Sequence, residues 1–382
     1  MRGFEISEYQ TRLARAQTMM AAAGLDALFV TTETDIRYFT GYLTRFWESP
    51  TRPWFLLVPQ TGKPVAVIPS IGAALMAKTW IDDIRTWSSP DLHDDGLSLL
   101  ADTIYDVLGK TARIGIPFGH ESHIRMPHAD FLRLQEICIS IHFTSDEGIL
   151  RHLRLIKSAA EIDKIGTACA IAGRAFARVG EIAAEGTALS EVFRKFQMLC
   201  LEEGADWVPY LAGGKGAIGY DDVISPASDD PLQKGEVMML DTGLVYDGYF
   251  CDYDRNYCIG TPATKTASAW ARLLEATEAG RQAACPGNMA ADIYHAMDSV
   301  LTGGKGGGGA GRLGHGLGMS LTEWPSFIPD DHTEIKAGMV ITLEPGVQMP
   351  DGSVLVHEDD FVITEAGAEQ LSTPAPKKLW TL

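Results

Sequence analysis

Long apolar runs, paired cysteines and positive charge are what this chain has little of. No apolar run reaches about 18 residues, the length a helix needs to cross a bilayer, so a membrane-spanning role is not expected. The start, Met1-Arg2-Gly3-Phe4-Glu5, has neither the positive charge nor the long apolar stretch of a signal peptide, and the expected location is cytoplasmic. Six cysteines, at 138, 169, 200, 251, 258 and 285, show no zinc-knuckle or redox spacing and read as reduced, structural residues. Lys and Arg number 32 against 50 Asp and Glu, for a net charge of -18 and a pI near 4.9. With no basic arm to offset it, that balance argues against nucleic acid or an anionic membrane as a partner.

What is present suits a globular α/β (α+β) protein. A chain of 382 residues with 46% hydrophobic content buries a sizeable core and suggests two domains. In the first, residues 1–150, the pattern predicts a helix over Ile6 to Ala23, a strand at Ala27 to Thr31 after the stop signal Gly24, and strands at Trp54 to Val58 and Val65 to Ile68. Gln60 to Pro64 forms the turn cluster between the last two. Polar turn chemistry at Thr144 to Gly148 places the boundary near 150, and residues 151–382 form the second domain. Ser158-Ala-Ala-Glu161 is a capping box, followed by Ile162, Ile165, Cys169, Ala172, Phe176 and Val179 at helical spacing. Further helices are expected at Leu189 to Glu203, Ala267 to Ala284 and Ala290 to Leu301.

The chemistry concentrates in the second domain. Val237 to Leu240 reads as a buried strand, Asp247-Gly248 as a two-residue hairpin turn, and Tyr249 to Ile259 as the returning strand. If Tyr246 and Tyr249 flank the turn, Asp241 lies opposite Asp254 and diagonal to Asp252, with all three carboxylates on one face. Like charges packed in this way repel, and a metal cation is the usual remedy. His315 sits in Gly314-His315-Gly316-Leu317-Gly318, Glu344 ends the run Met339 to Leu343 before Pro345-Gly346, and Glu358 stands within a strand-like run from Val354 to Ile363. Asp241, Asp252, His315, Glu344 and Glu358 together suit two divalent ions, Mn foremost, with Fe, Co or Zn as alternatives. A carboxylate-bridged pair about 3.5 Å apart can activate water as a nucleophile.

Asp241-Thr-Gly followed by Gly-Tyr-Phe-Cys-Asp252, Gly-His315-Gly-Leu-Gly, Glu344-Pro-Gly and His357-Glu358-Asp359 resemble the motifs of the pita-bread metalloenzymes, among them prolidase, aminopeptidase P, methionine aminopeptidase and creatinase. Leu153 to Ser158 with Glu161-Ile162 resembles the segment that opens the catalytic domain in the longer members, so the resemblance covers most of residues 150 to 365. It implies a small creatinase-like first domain, a pita-bread second domain with a pseudo-twofold axis, and a homodimer. It also implies that Asp252, His315 and Glu344 hold one metal and Asp241 the other, that Asp252 and Glu358 bridge, that a metal-bound hydroxide attacks the carbonyl, and that Glu344 takes up its proton.

The departures bear on substrate. Where family peptidases carry a histidine seven residues after the metal histidine, this chain has Thr322, in Thr322-Glu323-Trp324-Pro325. A second family histidine, some twenty residues before the first metal aspartate, aligns with Tyr220 or Asp221, and the residue before Arg255 is Asp254 rather than Thr or Ser. Loss of one transition-state donor costs ~10² to 10³ in rate, so Tyr220, Thr322 and Asp254 are candidate catalytic residues that compensate. The leading expectation is a hydrolase of small C-N bonded substrates of the Xaa-Pro dipeptidase type. The alternatives are a metal-dependent lyase resembling the dimethylsulfoniopropionate lyases of this fold, and a non-catalytic binding protein.

Other conspicuous stretches read more plainly. Gly303 to Gly309 lacks the order of a phosphate loop and reads as a connection leading to His315. Arg45 to Trp54 interleaves aromatic residues and arginines, as a ligand-reaching loop or as a packed loop. His120, His123 and His128 lack partner carboxylates and read as surface or core residues, and His357 is expected to face away from the metal side of its strand.

Overall fold

The computed structural model describes residues 2–49, 52–306 and 311–382. Two compact units divide at Arg154 and Leu155. In the first, a six-stranded sheet runs in the order Asp83–Trp87, Val65–Pro69, Phe55–Pro59, Ala27–Val30, Ala112–Ile116 and Ile141–Ser145. The strand-to-helix alternation expected from the sequence is observed, with helix Ile6–Ala23 closed by Gly24 at φ 65°. Continuous apolar strands such as Ala27–Val30 and Val65–Pro69 are buried along their whole length, which is how strands covered on both faces read in sequence. The stretch from Arg45 packs against its own unit: Trp47 and Trp54 are buried beside Tyr42, and Arg125 donates to the carbonyls of Trp47, Ser49 and Arg52. Pro50 and Thr51, within that stretch, and Gly307 to Gly309 of the glycine run lie outside the described residues.

The second unit holds two five-stranded sheets and a two-stranded ribbon. One sheet is built on Trp380–Thr381, Tyr253–Cys258, Val237–Tyr246 and Trp207–Gly216, with Tyr249–Phe250 paired to Val237–Tyr246; the other runs Glu323–Ser326, Gly314–Gly316, Val340–Leu343, Asp359–Thr364 and Gly367–Gln370. Helix Ala159–Ala177 opens with the expected capping box, Ser158 and Glu161 each accepting the other's backbone N–H. Helices Leu189–Glu202, Thr264–Ala283 and Ala290–Thr302 follow, and their apolar faces join the core.

One expected strand is divided. Val354 to Ile363 forms two strands in different sheets, Val354–Val356 in the ribbon with Gly346–Gln348 and Asp359–Thr364 in the five-stranded sheet. At the break, Glu358 has its N–H taken by Asp254 Oδ1 at 3.0 Å and its carbonyl by Arg255 Nη1 at 3.0 Å. Side chains replace the ladder there, so alternation alone does not reveal the interruption.

Candidate metal centre

Turn chemistry sets the first two carboxylates. Asp247 and Gly248 take φ of 48° and 82°, the positive pair that a type I′ hairpin turn demands. Register then runs Tyr246 to Tyr249, Val245 to Phe250 and, further along, Thr242 to Tyr253 and Asp241 to Asp254. Asp252 sits in the break between Phe250 and Tyr253, its N–H donated to Asp360 Oδ2 at 3.0 Å.

His315 arrives from the other sheet. Strand packing requires the flanking glycines: a Cβ on Gly314 would stand 2.3 Å from the Thr342 carbonyl oxygen, and one on Gly316 2.3 Å from that of Trp324. His315 Nδ1 donates to Gly316 O at 2.8 Å, so Nε2 carries the lone pair and lies 3.4 Å from Asp252 Oδ2. Burial, aided by the charge of Arg312, pulls the imidazole pKa down to about 3, and the ring is neutral at physiological pH.

Glu358 completes a cluster with Asp252 and His315 in which one ligand atom from each lies within 4.8 Å of the others. Among the described residues this is the one such grouping; His120, His123 and His128 are exposed in the first unit. Thr342 Oγ1 donates to Glu358 Oε1 at 2.7 Å and sets its rotamer. Glu344 follows strand Val340–Leu343 and is partly exposed, with Arg312 Nε 3.2 Å from its Oε1.

Acids buried this closely are relieved either by protons or by a cation. Burial raises Asp241, Asp252 and Glu358 well above the usual carboxylate range, and each is pushed further by its neighbours: Asp241 by Asp254, Asp252 by Asp241, Glu358 by Asp252 and Asp241. Burial lifts Glu344 to about 7 against the opposing charge of Arg312. Asp241 Oδ1 is buried without a hydrogen-bond partner. An orphaned carboxylate oxygen on Asp241, a neutral imidazole with its lone pair 3.4 Å from Asp252, and crowded acids form an O-rich, N-containing donor set that fits divalent transition metals.

A second buried network nearby is balanced instead. Burial works to lower His357, yet Asp359 and Asp254 hold it up at about 9, with Nε2 2.9 Å from Asp359 Oδ2. Arg255 pairs with Asp359 at 2.7 Å. His357 thus lies buried between Asp359 and Asp254, Nδ1 3.5 Å from Asp254 Oδ1.

The compensating candidates are dispersed. Tyr220 is fully buried, its hydroxyl accepting Val356 N–H at 2.8 Å and lying 3.3 Å from Asn256 Oδ1. Asp254 is also fully buried, one oxygen fixed on the Glu358 backbone. Thr322, half-buried, accepts from Arg312 Nη2 at 3.3 Å. Three neighbours escaped the sequence reading: Tyr210, whose hydroxyl donates to Asp241 Oδ2 at 3.0 Å, Thr342, and Arg312, which spans Glu344 and Thr322. Tyr210 is brought in by pairing of Trp207–Gly216 with the metal strand, a long-range register with no local signature. Arg312 stood three residues from the predicted histidine, and that proximity was the available signal.

The sequence pattern of the Creatinase/Prolidase N-terminal domain matches residues 12–156, and that of Metallopeptidase family M24 matches residues 163–365. The chain belongs to metallopeptidase family M24. The two matches together give the two-domain creatinase-like and pita-bread architecture, and membership of M24 implies divalent metal ions. An Xaa-Pro dipeptidase of Pyrococcus furiosus is 31% identical over 276 residues, covering 71% of this chain and 76% of that protein. A probable dipeptidase PepE of Mycobacterium tuberculosis is 29% identical over 371 residues, 96% and 95% of the two chains. Dipeptidase PepE from Mycobacterium ulcerans superposes with a TM-score of 0.85 at 29% identity over 99% of each chain. The N-terminal domain of the chickpea FACT subunit SPT16, at 15% identity and a TM-score of 0.78 over 98% of each chain, shares the fold alone. Among the described residues no helix is long and apolar enough to cross a membrane.

Proposed function

We propose that this M24 member is a dinuclear metal-dependent dipeptidase that hydrolyses small C-N bonded substrates of the Xaa-Pro type, with residues 151–382 as its catalytic domain. The observation that carries the reading is the convergence of Asp252, His315 and Glu358 beside the orphaned oxygen of Asp241. The dipeptidase relatives supply the substrate class. Manganese, a homodimeric assembly and a cytoplasmic location belong to the same reading and rest on the family resemblance and the composition.

Asp241, Asp252, His315, Glu344 and Glu358 would hold the two ions. When bound, such a pair polarises the scissile carbonyl and lowers the pKa of water to near neutrality. The remaining chemistry belongs to the chain. Glu344, partly exposed beside Arg312, would accept a proton from water and return one to the leaving nitrogen. Tyr210 holds Asp241 and Thr342 holds Glu358 in their rotamers. Arg312 with Thr322 sets a cation and a hydroxyl beside Glu344, where family peptidases present an imidazole. Asp254 and Tyr220 act from beneath, the first through the Glu358 backbone and the second through Val356, as positioning groups.

The lyase alternative, motivated by Asp254 as a proton-transfer group and by the absent family imidazoles, is the less favoured reading, since Asp254 is fully buried. Proline release from a panel of Xaa-Pro dipeptides by Mn-loaded protein, with Glu358→Ala as the control, tests the proposal. Release abolished by the substitution is the expected result; no release from the metal-replete protein overturns the peptidase reading.

A further inference from the structure

Two motif residues have no part in the centre as described: Lys157, from the segment that opens the catalytic domain, and Glu323, which follows Thr322. They form an ion pair across 166 positions of sequence, Nζ 3.2 Å from Oε2, with side chains only 2% and 6% exposed. The other oxygen of Glu323, Oε1, accepts the N–H groups of Met319 and Ser320 at 2.9 and 3.1 Å. A Cβ on Gly318 would lie 3.0 Å from both Glu323 Oε2 and Lys157 Cε, so this turn is wrapped directly on the pair.

The same turn touches both halves of the histidine side of the centre. Its Gly316 carbonyl fixes the His315 ring through Nδ1 at 2.8 Å. Its Gly318 carbonyl accepts the N–H of Phe250 at 2.8 Å, two residues before Asp252. From Lys157 the chain of contacts runs the other way: its N–H donates to Gly338 O at 2.9 Å, and the Gly338 N–H donates to Ile363 O at 2.8 Å. Gly338 leads into the strand that ends before Glu344, and Ile363 lies on the strand that follows Glu358.

We infer that Glu323, with Lys157 as its buried counter-charge, is a positioning residue that holds the Gly316 to Ser320 turn, and through it the His315 and Asp252 ligand pair; the inference rests on the metal-centre reading above. A carboxylate suits this task because one of its oxygens can accept two backbone N–H groups while the other meets the ammonium. Lys157 is then the counter-charge that allows the carboxylate to be buried.

The test uses two double variants of the full chain that leave no unpaired buried charge. Glu323→Gln with Lys157→Met keeps an oxygen for the Met319 and Ser320 N–H groups, whereas Glu323→Leu with Lys157→Met removes it. Co²⁺ titrated into metal-free protein, followed by its visible absorption, reads the geometry and affinity of the centre, and hydrogen exchange of residues 314–326 in the metal-free state reads the turn itself. The expected result is a loss of Co²⁺ affinity of tenfold or more, with an altered spectrum and faster exchange, in the Leu variant, and values within about threefold of wild type in the Gln variant. Equal behaviour of the two variants, whether both unchanged or both impaired, overturns the positioning role while leaving the metal centre intact. Should the Leu variant fail to fold, Glu323→Ala with Lys157→Met takes its place as the variant without the acceptor oxygen, judged against the Gln variant by the same criteria. Failure of the wild type to bind Co²⁺ overturns the metal-centre reading and the inference with it.

Discussion

Both units of this chain bury ion pairs, and the second adds a cluster of buried acids that the first, among the described residues, lacks. In residues 1–154 the buried ions meet opposite charge or backbone donors: Arg12 pairs with Glu8, Arg37 with Glu33, Asp35 with Arg154, and Asp146 accepts the N–H groups of Gly148 and Leu150. Its sheet is otherwise an apolar core of residues such as Phe29, Leu56 and Val67. In residues 155–382 Asp241, Asp252 and Glu358 are buried facing one another, with a neutral imidazole and one arginine at the edge. A fold does not concentrate like charges at its centre for stability. It does so where a ligand of opposite charge completes the structure, and the first unit shows what the same chain looks like where none is needed.

The contrast can be broken most severely at the centre. Glu358→Ala is expected to reduce Xaa-Pro hydrolysis by ~10³-fold or more, because it removes a proposed bridging carboxylate; an assay of released proline at saturating Mn²⁺ reads this. Activity within tenfold of wild type would show that the crowded acids are not the reacting centre.

Calorimetry sharpens the comparison. Metal at a thousand times its Kd should stabilise the second unit by roughly 4 kcal/mol relative to protein in EDTA, and leave the first unit's transition in place. Phe29→Ala should do the reverse, costing the first unit about 3–5 kcal/mol with no change in metal affinity. A metal-induced shift of both transitions by the same amount would erase the distinction.

The pH dependence follows from the raised carboxylates. Glu344 at about 7 in the folded, metal-free chain, against 4.5 unfolded, means that the native state binds more protons than the unfolded one across that interval. Stability of the metal-free protein should therefore fall as pH rises from about 4.5 to about 7, while the stabilisation by added metal grows over the same range. Urea midpoints with and without Mn²⁺ at four pH values measure both slopes. A metal-free midpoint that climbs over this interval would contradict the assigned shift.

Smallest is the effect of Tyr210→Phe, which leaves the ring and removes one donor from Asp241. About a tenfold loss in kcat is expected, with KM little changed. An equal rise in KM alone would assign Tyr210 to substrate binding instead.

Much of the centre was legible because its local chemistry is strong. Asp247-Gly248 dictates a turn whose register aligns Asp241 with Asp254, and Ser158 with Glu161 marks a helix start by reciprocal hydrogen bonding. Glu344 stands at a strand end because Pro345 stops the ladder. The break at Glu358 was not legible, since the groups that satisfy its backbone, Asp254 and Arg255, lie about a hundred residues upstream. Tyr220, which aligns in sequence with a family imidazole, has its hydroxyl on the Val356 N–H, a contact that no local pattern announces.

By itself, then, the sequence determined the elements and the turn that pairs Asp241 with Asp254, and marked Asp241, Asp252, His315, Glu344 and Glu358 as candidates for a cation, because capping, turn chemistry and charge act within a few residues or follow from composition. Only the tertiary structure decided which side chains surround them. Tyr210 on Asp241, Arg312 between Glu344 and Thr322, and Lys157 beneath Glu323 depend on strand pairings and burial between distant segments, and a side chain's partner is set by where the backbone carries it rather than by its neighbours in sequence.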